Sequence, residues 1–560
     1  MTKICGIIDF NNKDMGNIIK DMTLVMKHEK WHDIKVYSKN NIIFGSVSID
    51  KEKKILWNKE KTKCLIFSGI LYGVDLNQIL HNYEKIDFIR NLNGIFAFAV
   101  MDFIKNRVTL INDRHGFRPL FYYNDNQKLV FASEIKSVIK DKNIKREIDW
   151  KAWGDFIYFG EVHDNNTFFK NISTLPNASI LIFEKGKCNI KKYWDYSEVK
   201  VDNLHDTNYF IKKGAELFNQ SINIQTNDLK KADCFLTGGY DSRAIAMTIQ
   251  KQGNIKLDTF TTRKEGDSYK DKNYAKEVAK YLNLKNIFVD LPDNIYKKYF
   301  LKSFYLTDGM ANEHLFLMPL LEKTNKNINF DGIVGDILLR GSFTQENKIK
   351  KPYNLLLNKN KTKIIKKIFP RKISKQMIKE SKFNLKNNLT QLKNNLTLYF
   401  LTNEGRRKVA LNSMATILTK KESRAPFLDN DFVDFALSIP TEKKSNQFYT
   451  QILESIDQGC MKISSTRDET KTFILSRLPF VRKTRNKVFF MITTSDFLLK
   501  IVNKMGIYKK YSERNLKYNL NLFNKYPNIK ELKQRKFSRD IYSKYMLHFK
   551  LWYYMFFKSP

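Results

Sequence analysis

One stretch constrains this chain more than any other: in Ala232-Asp233-Cys234-Phe235-Leu236-Thr237-Gly238-Gly239-Tyr240-Asp241-Ser242-Arg243 an apolar strand runs directly into two glycines and then a helix. Adjacent glycines let a backbone approach an anion closely and take positive φ. The freed N–H groups, together with the N-terminus of the following helix, supply donors and the positive end of a dipole for phosphate. Thr237 and Ser242 add hydroxyl donors. Asp241 is a poor phosphate neighbour unless a cation stands between them, and Mg²⁺ bridging carboxylate and phosphate resolves that conflict. The loop thus predicts a sheet whose strand ends in an anion site.

The surrounding rhythm agrees. From about residue 205 the pattern runs helix, strand Asp233 to Thr237, helix from Asp241, strand Leu257 to Thr261, helix Lys272 to Leu282, strand Asn286 to Val289. Such alternation predicts a parallel sheet with covering helices. The part before it, to about residue 195, reads as short strands and turns. Phe96 to Asp102 and Arg107 to Ile111 form a hairpin-like pair around Lys105-Asn106, and Leu129 to Ala132 follows a turn at Asn124 to Gln127. Beyond about residue 345 lysine-rich amphipathic helices take over. At 560 residues, two large domains plus an appendage are expected: residues 1–198, 205–475 and a basic, aromatic helical extension over 476–560.

Composition narrows the partners. The chain carries 98 Lys plus Arg against 58 Asp plus Glu, a formal charge of +40. Lysine is spread over the whole length with abundant Asn and Ile, which argues for a general bias and against a nucleic-acid surface. One local exception is the end of the chain, where Val481-Arg482-Lys483-Thr484-Arg485 precedes Leu551-Trp552-Tyr553-Tyr554-Met555-Phe556-Phe557; this segment is expected to dock on a membrane surface or a partner protein. Cys5, Cys64, Cys188, Cys234 and Cys460 lie far apart, with no zinc-clip spacing, so a reducing, cytoplasmic setting is expected. The start, Met1-Thr2-Lys3-Ile4-Cys5-Gly6, does not read as a signal peptide, and no apolar run is long enough to span a bilayer.

The string Thr237 to Ser242 resembles the pyrophosphate loop of the asparagine synthetase family, Ser-Gly-Gly-x-Asp-Ser, with threonine for the first serine. Asp113-Arg114-His115-Gly116-Phe117-Arg118-Pro119-Leu120-Phe121-Tyr122-Tyr123, Phe131-Ala132-Ser133-Glu134-Ile135-Lys136, Asn93 to Ala99 and Tyr193-Trp194-Asp195 are similar to that family's first domain. Thr259-Phe260-Thr261 with Tyr274 to Ala279, and Arg424-Ala425-Pro426-Phe427-Leu428-Asp429, are similar to its second. The resemblance runs over roughly residues 5–475. It implies an α/β chain with an N-terminal Ntn-hydrolase-like, glutaminase-type α+β sandwich and a PP-loop ATP pyrophosphatase-type synthetase domain with a helical C-terminal part. It implies ATP as cosubstrate on Thr237, Gly238, Gly239, Asp241, Ser242 and Thr261, and Mg²⁺ on Asp241 and Asp336. The activity it implies is adenylation of a carboxylate, aspartate or a related acceptor, followed by attack of nitrogen. Lys471, in Asp468-Glu469-Thr470-Lys471, is the candidate for stabilising charge on the adenylate.

The departures matter as much. Family members place a catalytic cysteine at the mature N-terminus, where its own amine is the base. Here Cys5 precedes the expected Gly6-Ile7-Ile8, but four residues stand before it. At Ser68-Gly69-Ile70, serine and isoleucine replace the family's Asn and Glu, and an apolar side chain cannot hold the amino group of glutamine. Loss of glutaminase activity is therefore expected. In Gly332-Ile333-Val334-Gly335-Asp336-Ile337 the aspartate is kept while both glutamates of the family's Gly-Glu-Gly-x-Asp-Glu are gone, which leaves Glu313 as a substitute base or a helix cap. Arg424 and Asp429 can equally form a structural ion pair. Three functions stay open: an amide ligase for aspartate, a lactam- or peptide-forming ligase, to which Asp241-Ser242-Arg243 leans, and a non-catalytic scaffold.

Overall fold

A computed structural model describes residues 2–11, 15–49, 55–262, 270–310, 314–324, 326–340, 352–393, 395–466, 521–527, 529–530, 532 and 541–558. Lys471, Glu313 and the basic stretch around Arg482 lie outside the described residues.

The first domain is a sandwich of two antiparallel sheets. Its strands are β1 (Thr2–Asp9), β2 (Asp33–Lys39), β3 (Ile42–Ser48), β4 (Ile55–Trp57), β5 (Lys63–Tyr72), β6 (Asn93–Asp102), β7 (Arg107–Asn112), β8 (Phe121–Asn124), β9 (Lys128–Ala132), β10 (Ser173–Thr174), β11 (Ser179–Glu184) and β12 (Lys187–Lys192). One sheet runs β10-β8-β9-β1-β3-β2 and the other β12-β11-β7-β6-β5-β4. Strand alternation sorts β1 between two layers. Ile4 and Ile8 pack with Phe44, Ile66, Ala97 and Phe131 between the sheets, while Cys5 and Ile7 join Met22 and Met26 of the helix Gly16–Met26 outside them. The expected hairpin is β6 with β7, in register Ala97↔Asn112 to Asp102↔Arg107.

The second domain holds β13 (Lys231–Phe235), β14 (Lys256–Thr261), β15 (Lys285–Phe288), β16 (Ile328–Phe330) and β17 (Glu422–Arg424) in the order β15-β14-β13-β16-β17. All four pairings are parallel. From β13 the chain builds outward through β14 and β15, then returns to place β16 on the other side of β13. That reversal opens a crevice beyond the carboxyl ends of β13 and β16, where open α/β sheets bind ligands.

Buried polar contacts join the two domains. Arg118 meets Glu422 of β17 at 3.0 and 3.3 Å, Arg114 meets Asp434 at 2.7 Å, and Asn93 donates to Asp429 at 2.6 Å. Arg424 pairs with Asp228 at 2.6 and 2.7 Å, not with Asp429, whose carboxylate instead caps the helix Asn430–Ser438. An N-capping carboxylate is already satisfied by backbone N–H groups, so the guanidinium takes the nearer acid.

The aromatic end of the chain corrects an expectation. In the helix Ile541–Trp552 and the turns Tyr553–Phe557, Phe549, Leu551, Trp552 and Phe556 are buried. Trp552 lies 5.3 Å and Phe549 4.7 Å from Trp153, ring to ring, and Arg146 donates to the Phe557 carbonyl at 3.1 Å. These rings fill a core shared with the helices Trp150–Phe159 and Ile295–Leu306 and are not displayed to a membrane or partner. Among the described residues no helix is long and apolar enough to cross a membrane.

Candidate active site

The loop between β13 and the helix Tyr240–Gln252 is closed by its own hydroxyls. Ser242 Oγ accepts from the Thr237 N–H at 3.0 Å and lies 3.0 Å from Thr237 Oγ1, which accepts from the Gly239 N–H at 3.2 Å. Neither Gly238 nor Gly239 has positive φ, contrary to expectation. Gly238 is required for space: a Cβ there would stand 2.8 Å from both Asp271 Oδ1 and Thr466 Cγ2. Its N–H donates to Asp271 Oδ1 at 2.8 Å.

The turn after β16 comes back onto this loop. A Cβ on Gly332 would lie 2.8 Å from Asp241 Cβ, and one on Gly335 3.0 Å from Asp241 Cγ and Oδ1. Val334, between them, sits at φ 63°, a strained position for a β-branched residue. The turn therefore presses against Asp241 and then starts the short helix Gly335–Leu339, whose first turn carries Asp336. Asp241 and Asp336 both act on the Tyr449 hydroxyl. That hydroxyl donates to Asp241 Oδ1 at 2.6 Å. Its pKa stands well above the ordinary phenol range, chiefly through burial and then through the charges of Asp241 and Asp336, with Arg340 pulling the other way.

Thr237, Gly239, Tyr240, Asp241, Arg340 and Tyr449 line a cavity of about 80 Å³. Tyr449 and Arg340 were not expected from the sequence. Tyr449 reads as one apolar position of the amphipathic helix Asn446–Ile456, and Arg340 as the end of a short helix. Thr261, expected on the nucleotide, spends its hydroxyl on the Leu236 carbonyl at 2.8 Å and on Asn286 at 3.1 Å, so it pins β14 to the strand before the loop. At the end of β16, burial pushes the Asp331 carboxyl up to about 6. Ile333, where the glutamate is lost, is packed into the apolar core.

Among the described residues no group of three or more His, Cys, Asp or Glu side chains could hold a metal by itself. Magnesium does not require one: it is commonly bound by one or two carboxylates, with phosphates and water completing six oxygens. Asp241, which follows the glycine loop, and Asp336, in the first turn of the helix Gly335–Leu339, have that donor chemistry.

The first domain offers a different picture around Cys5. Residues 2–4 are full members of β1, paired Thr2↔Ser48, Lys3↔Val47 and Ile4↔Ser46, so the Cys5 nitrogen is an internal amide. The thiol is fully buried and faces the Gly45 carbonyl at 3.8 Å, and burial pushes its pKa far up. Ser68, at the lost Asn position, donates to the Thr2 carbonyl at 2.6 Å and accepts from Arg118 Nε at 2.8 Å. Lys3 pairs with Glu134, which meets Lys136 at 2.8 Å, and Lys136 meets Asp308 of the second domain at 2.9 Å. Burial alone would raise Glu134, yet the surrounding cations hold its carboxyl well below the usual range. The amino-terminal residues thus occupy the ground between Ser68, Arg118 and Glu134, beside a residual cavity of about 50 Å³.

Both domains are similar to known families. Residues 1–194 match a family described as a glutamine amidotransferase domain, and residues 213–454 one described as asparagine synthase. A putative glutamine-hydrolysing asparagine synthetase 2 of Methanocaldococcus jannaschii is 26% identical over 50% of this chain and 63% of its own length. Asparagine synthetase 3 of Bacillus subtilis is 28% identical over 48% of this chain and 49% of its own. A second putative Methanocaldococcus jannaschii synthetase is 23% identical over 80% of this chain and 82% of its own. The chain thus spans less than two thirds of the length of the first two relatives.

Proposed function

From the premise that this chain is a divergent member of the asparagine synthetase family, we propose that its second domain is an ATP-dependent carbon–nitrogen ligase. A carboxylate oxygen attacks the α-phosphorus of ATP, the bond to the β,γ-pyrophosphate breaks, and an acyl adenylate forms. A nitrogen nucleophile then attacks the acyl carbon, AMP leaves with the electron pair of the acyl–oxygen bond, and the amide nitrogen loses a proton to solvent or base. The pyrophosphate is received at the N-terminus of the helix Tyr240–Gln252, because the Thr237, Gly238 and Gly239 N–H groups are engaged within the protein and hold the loop in shape. Arg340 supplies a cation to the same pocket and Tyr449 orients Asp241 by its hydrogen bond. Magnesium, when bound by Asp241 and Asp336, neutralises phosphate charge and so favours release of the leaving group.

One observation carries the reading: the turn Gly332–Gly335 packs directly against Asp241, at the switch point of a parallel sheet, and starts the short helix whose first turn carries Asp336. A scaffold has no need of a strained turn pressed against the carboxylate that follows a glycine loop. Aspartate with ammonia is the first acceptor and nucleophile to test, and a peptide or small-molecule carboxylate with an amine is the second. The test is pyrophosphate release from ATP and Mg²⁺ with pooled carboxylates, aspartate plus ammonia among them. Acceptor-dependent release that Asp241→Asn abolishes supports the ligase; no release and no ATP binding by calorimetry returns the chain to a scaffold.

A second reading concerns the first domain. With Cys5 internal to β1 and its thiol turned toward the helix layer, we propose that this domain is a platform that does not hydrolyse glutamine. Glutamate released from glutamine, and lost in Cys5→Ala, would refute it. From its use of ATP and cysteines spaced far apart in the sequence, we infer a reducing, cytoplasmic setting.

A further inference from the structure

Arg243 follows the loop directly, yet it faces away from the pocket. Its side chain is fully buried. Nη1 donates to the Ile463 carbonyl at 2.6 Å and to that of Cys460 at 3.5 Å, while Nη2 donates to Ser464 at 2.8 Å. The chain held in this way continues at once to the loop. Ser465 Oγ donates to the Gly238 carbonyl at 2.9 Å, and the Thr466 N–H donates to the same oxygen at 3.1 Å. On its other side, the Gly238 N–H is taken by Asp271. Both polar groups of Gly238 are therefore fixed, one by the 460–466 strap and one by the helix Lys270–Tyr281.

We infer that Arg243 is a positioning residue for the phosphate loop: a latch that holds the strap 460–466 so that Ser465 and Thr466 set the orientation of the Gly238 peptide. The inference rests on the nucleotide role proposed for that loop. A guanidinium suits the task because its donors are spread in a rigid plane and reach several carbonyls at once, whereas an ammonium is a compact point charge. The groups Arg243 reaches on the strap are main-chain carbonyls, and its guanidinium lies 5.6 Å over the Tyr240 ring, so the contact transmits position from the strap to the loop.

The test uses the full chain with Arg243→Lys, Arg243→Met and, as a milder lesion that leaves the buried cation in place, Ser465→Ala. Amide hydrogen exchange at Thr466 and Mg²⁺–ATP affinity by calorimetry are read together, with exchange in the Asn430–Ser438 helix as a folding control. In Arg243→Lys, exchange at Thr466 should quicken and ATP affinity weaken, each by about tenfold, while the control is unchanged. In turnover the loss should fall on KM for ATP more than on kcat. Ser465→Ala should show the same signature at a smaller size. Wild-type exchange and affinity in Arg243→Lys would overturn the latch, because charge alone would then suffice. Should the wild type bind no nucleotide, the reading of the loop falls, and exchange at Thr466 still decides whether Arg243 holds the strap.

Discussion

At the end of β13 the chain leaves its sheet and turns its polar groups into a pocket, whereas at Cys5 it is still in the middle of β1, hydrogen-bonded in register on both sides. Both places carry the residue types of a catalytic site. In the second domain Asp241, bonded by Tyr449, lines a cavity together with Arg340, and Asp336 acts on the same hydroxyl. In the first, Ser68, Arg118, Glu134 and Lys3 are consumed in holding the amino terminus and the second domain. The difference teaches that reactive chemistry needs polar groups that line a cavity, and that the same residue types packed into an interface become joinery.

The sharpest way to break this comparison is at Asp241. Asp241→Asn keeps the acceptor of the Tyr449 hydrogen bond and removes the charge that magnesium needs; pyrophosphate release should fall about 1000-fold, a loss of several kcal/mol of transition-state stabilisation. Initial rates at saturating ATP check it. A loss under threefold would mean that the loop acts without a metal at this carboxylate. Second in size is the joinery. Glu422→Leu leaves the Arg118 guanidinium buried without its carboxylate, and denaturant unfolding should show a loss of about 3 kcal/mol. An unchanged midpoint would detach the first domain from the stability of the second.

Tyr449→Phe sharpens the comparison inside the pocket. It deletes one hydroxyl donating to a carboxylate, so the Mg²⁺ concentration for half-maximal activity should rise about tenfold with the fold intact. No change in Mg²⁺ dependence would make Tyr449 packing only.

How much of this was legible in sequence follows from distance along the chain. The loop was readable because its glycines, hydroxyls and carboxylate fall within six consecutive residues, and the parallel sheet because its strands alternate with helices. Tyr449 and Arg340 were not, since one lies on a helix whose apolar face looks like any core face and the other at the end of a short helix. Their role exists only once β16 has returned beside β13. An ion pair of Arg424 with Asp429 is one option the sequence leaves open, but the choice between that acid and Asp228 depends on which one backbone amides have already satisfied. The terminal aromatic run was misread for a simpler reason: Trp552 and Phe556 bury the same apolar area against a membrane or against Trp153 and Phe304, and the sequence does not say which surface is nearer.

The smallest expected effect belongs to Cys5. Cys5→Ala removes a buried sulfur among Ile7, Met22 and Met26, and should lower stability by about 1 kcal/mol while ligation is unchanged. Titration gives a second readout with a definite sign. Burial raises the thiol pKa, so the neutral thiol persists as pH rises, and iodoacetamide alkylation of the native chain at Cys5 should not accelerate between about pH 7 and pH 9. An ordinary exposed thiol accelerates strongly over that window because its thiolate fraction grows. Mass spectrometry of the Cys5 peptide, with unfolded chain as the reactive standard, checks this directly. A thiol that alkylates quickly near neutral pH, with glutamate appearing from glutamine at a matching rate, would show the amino-terminal strand peeling away from Ser68 in solution. The first domain would then be a working glutaminase held shut by its own first four residues.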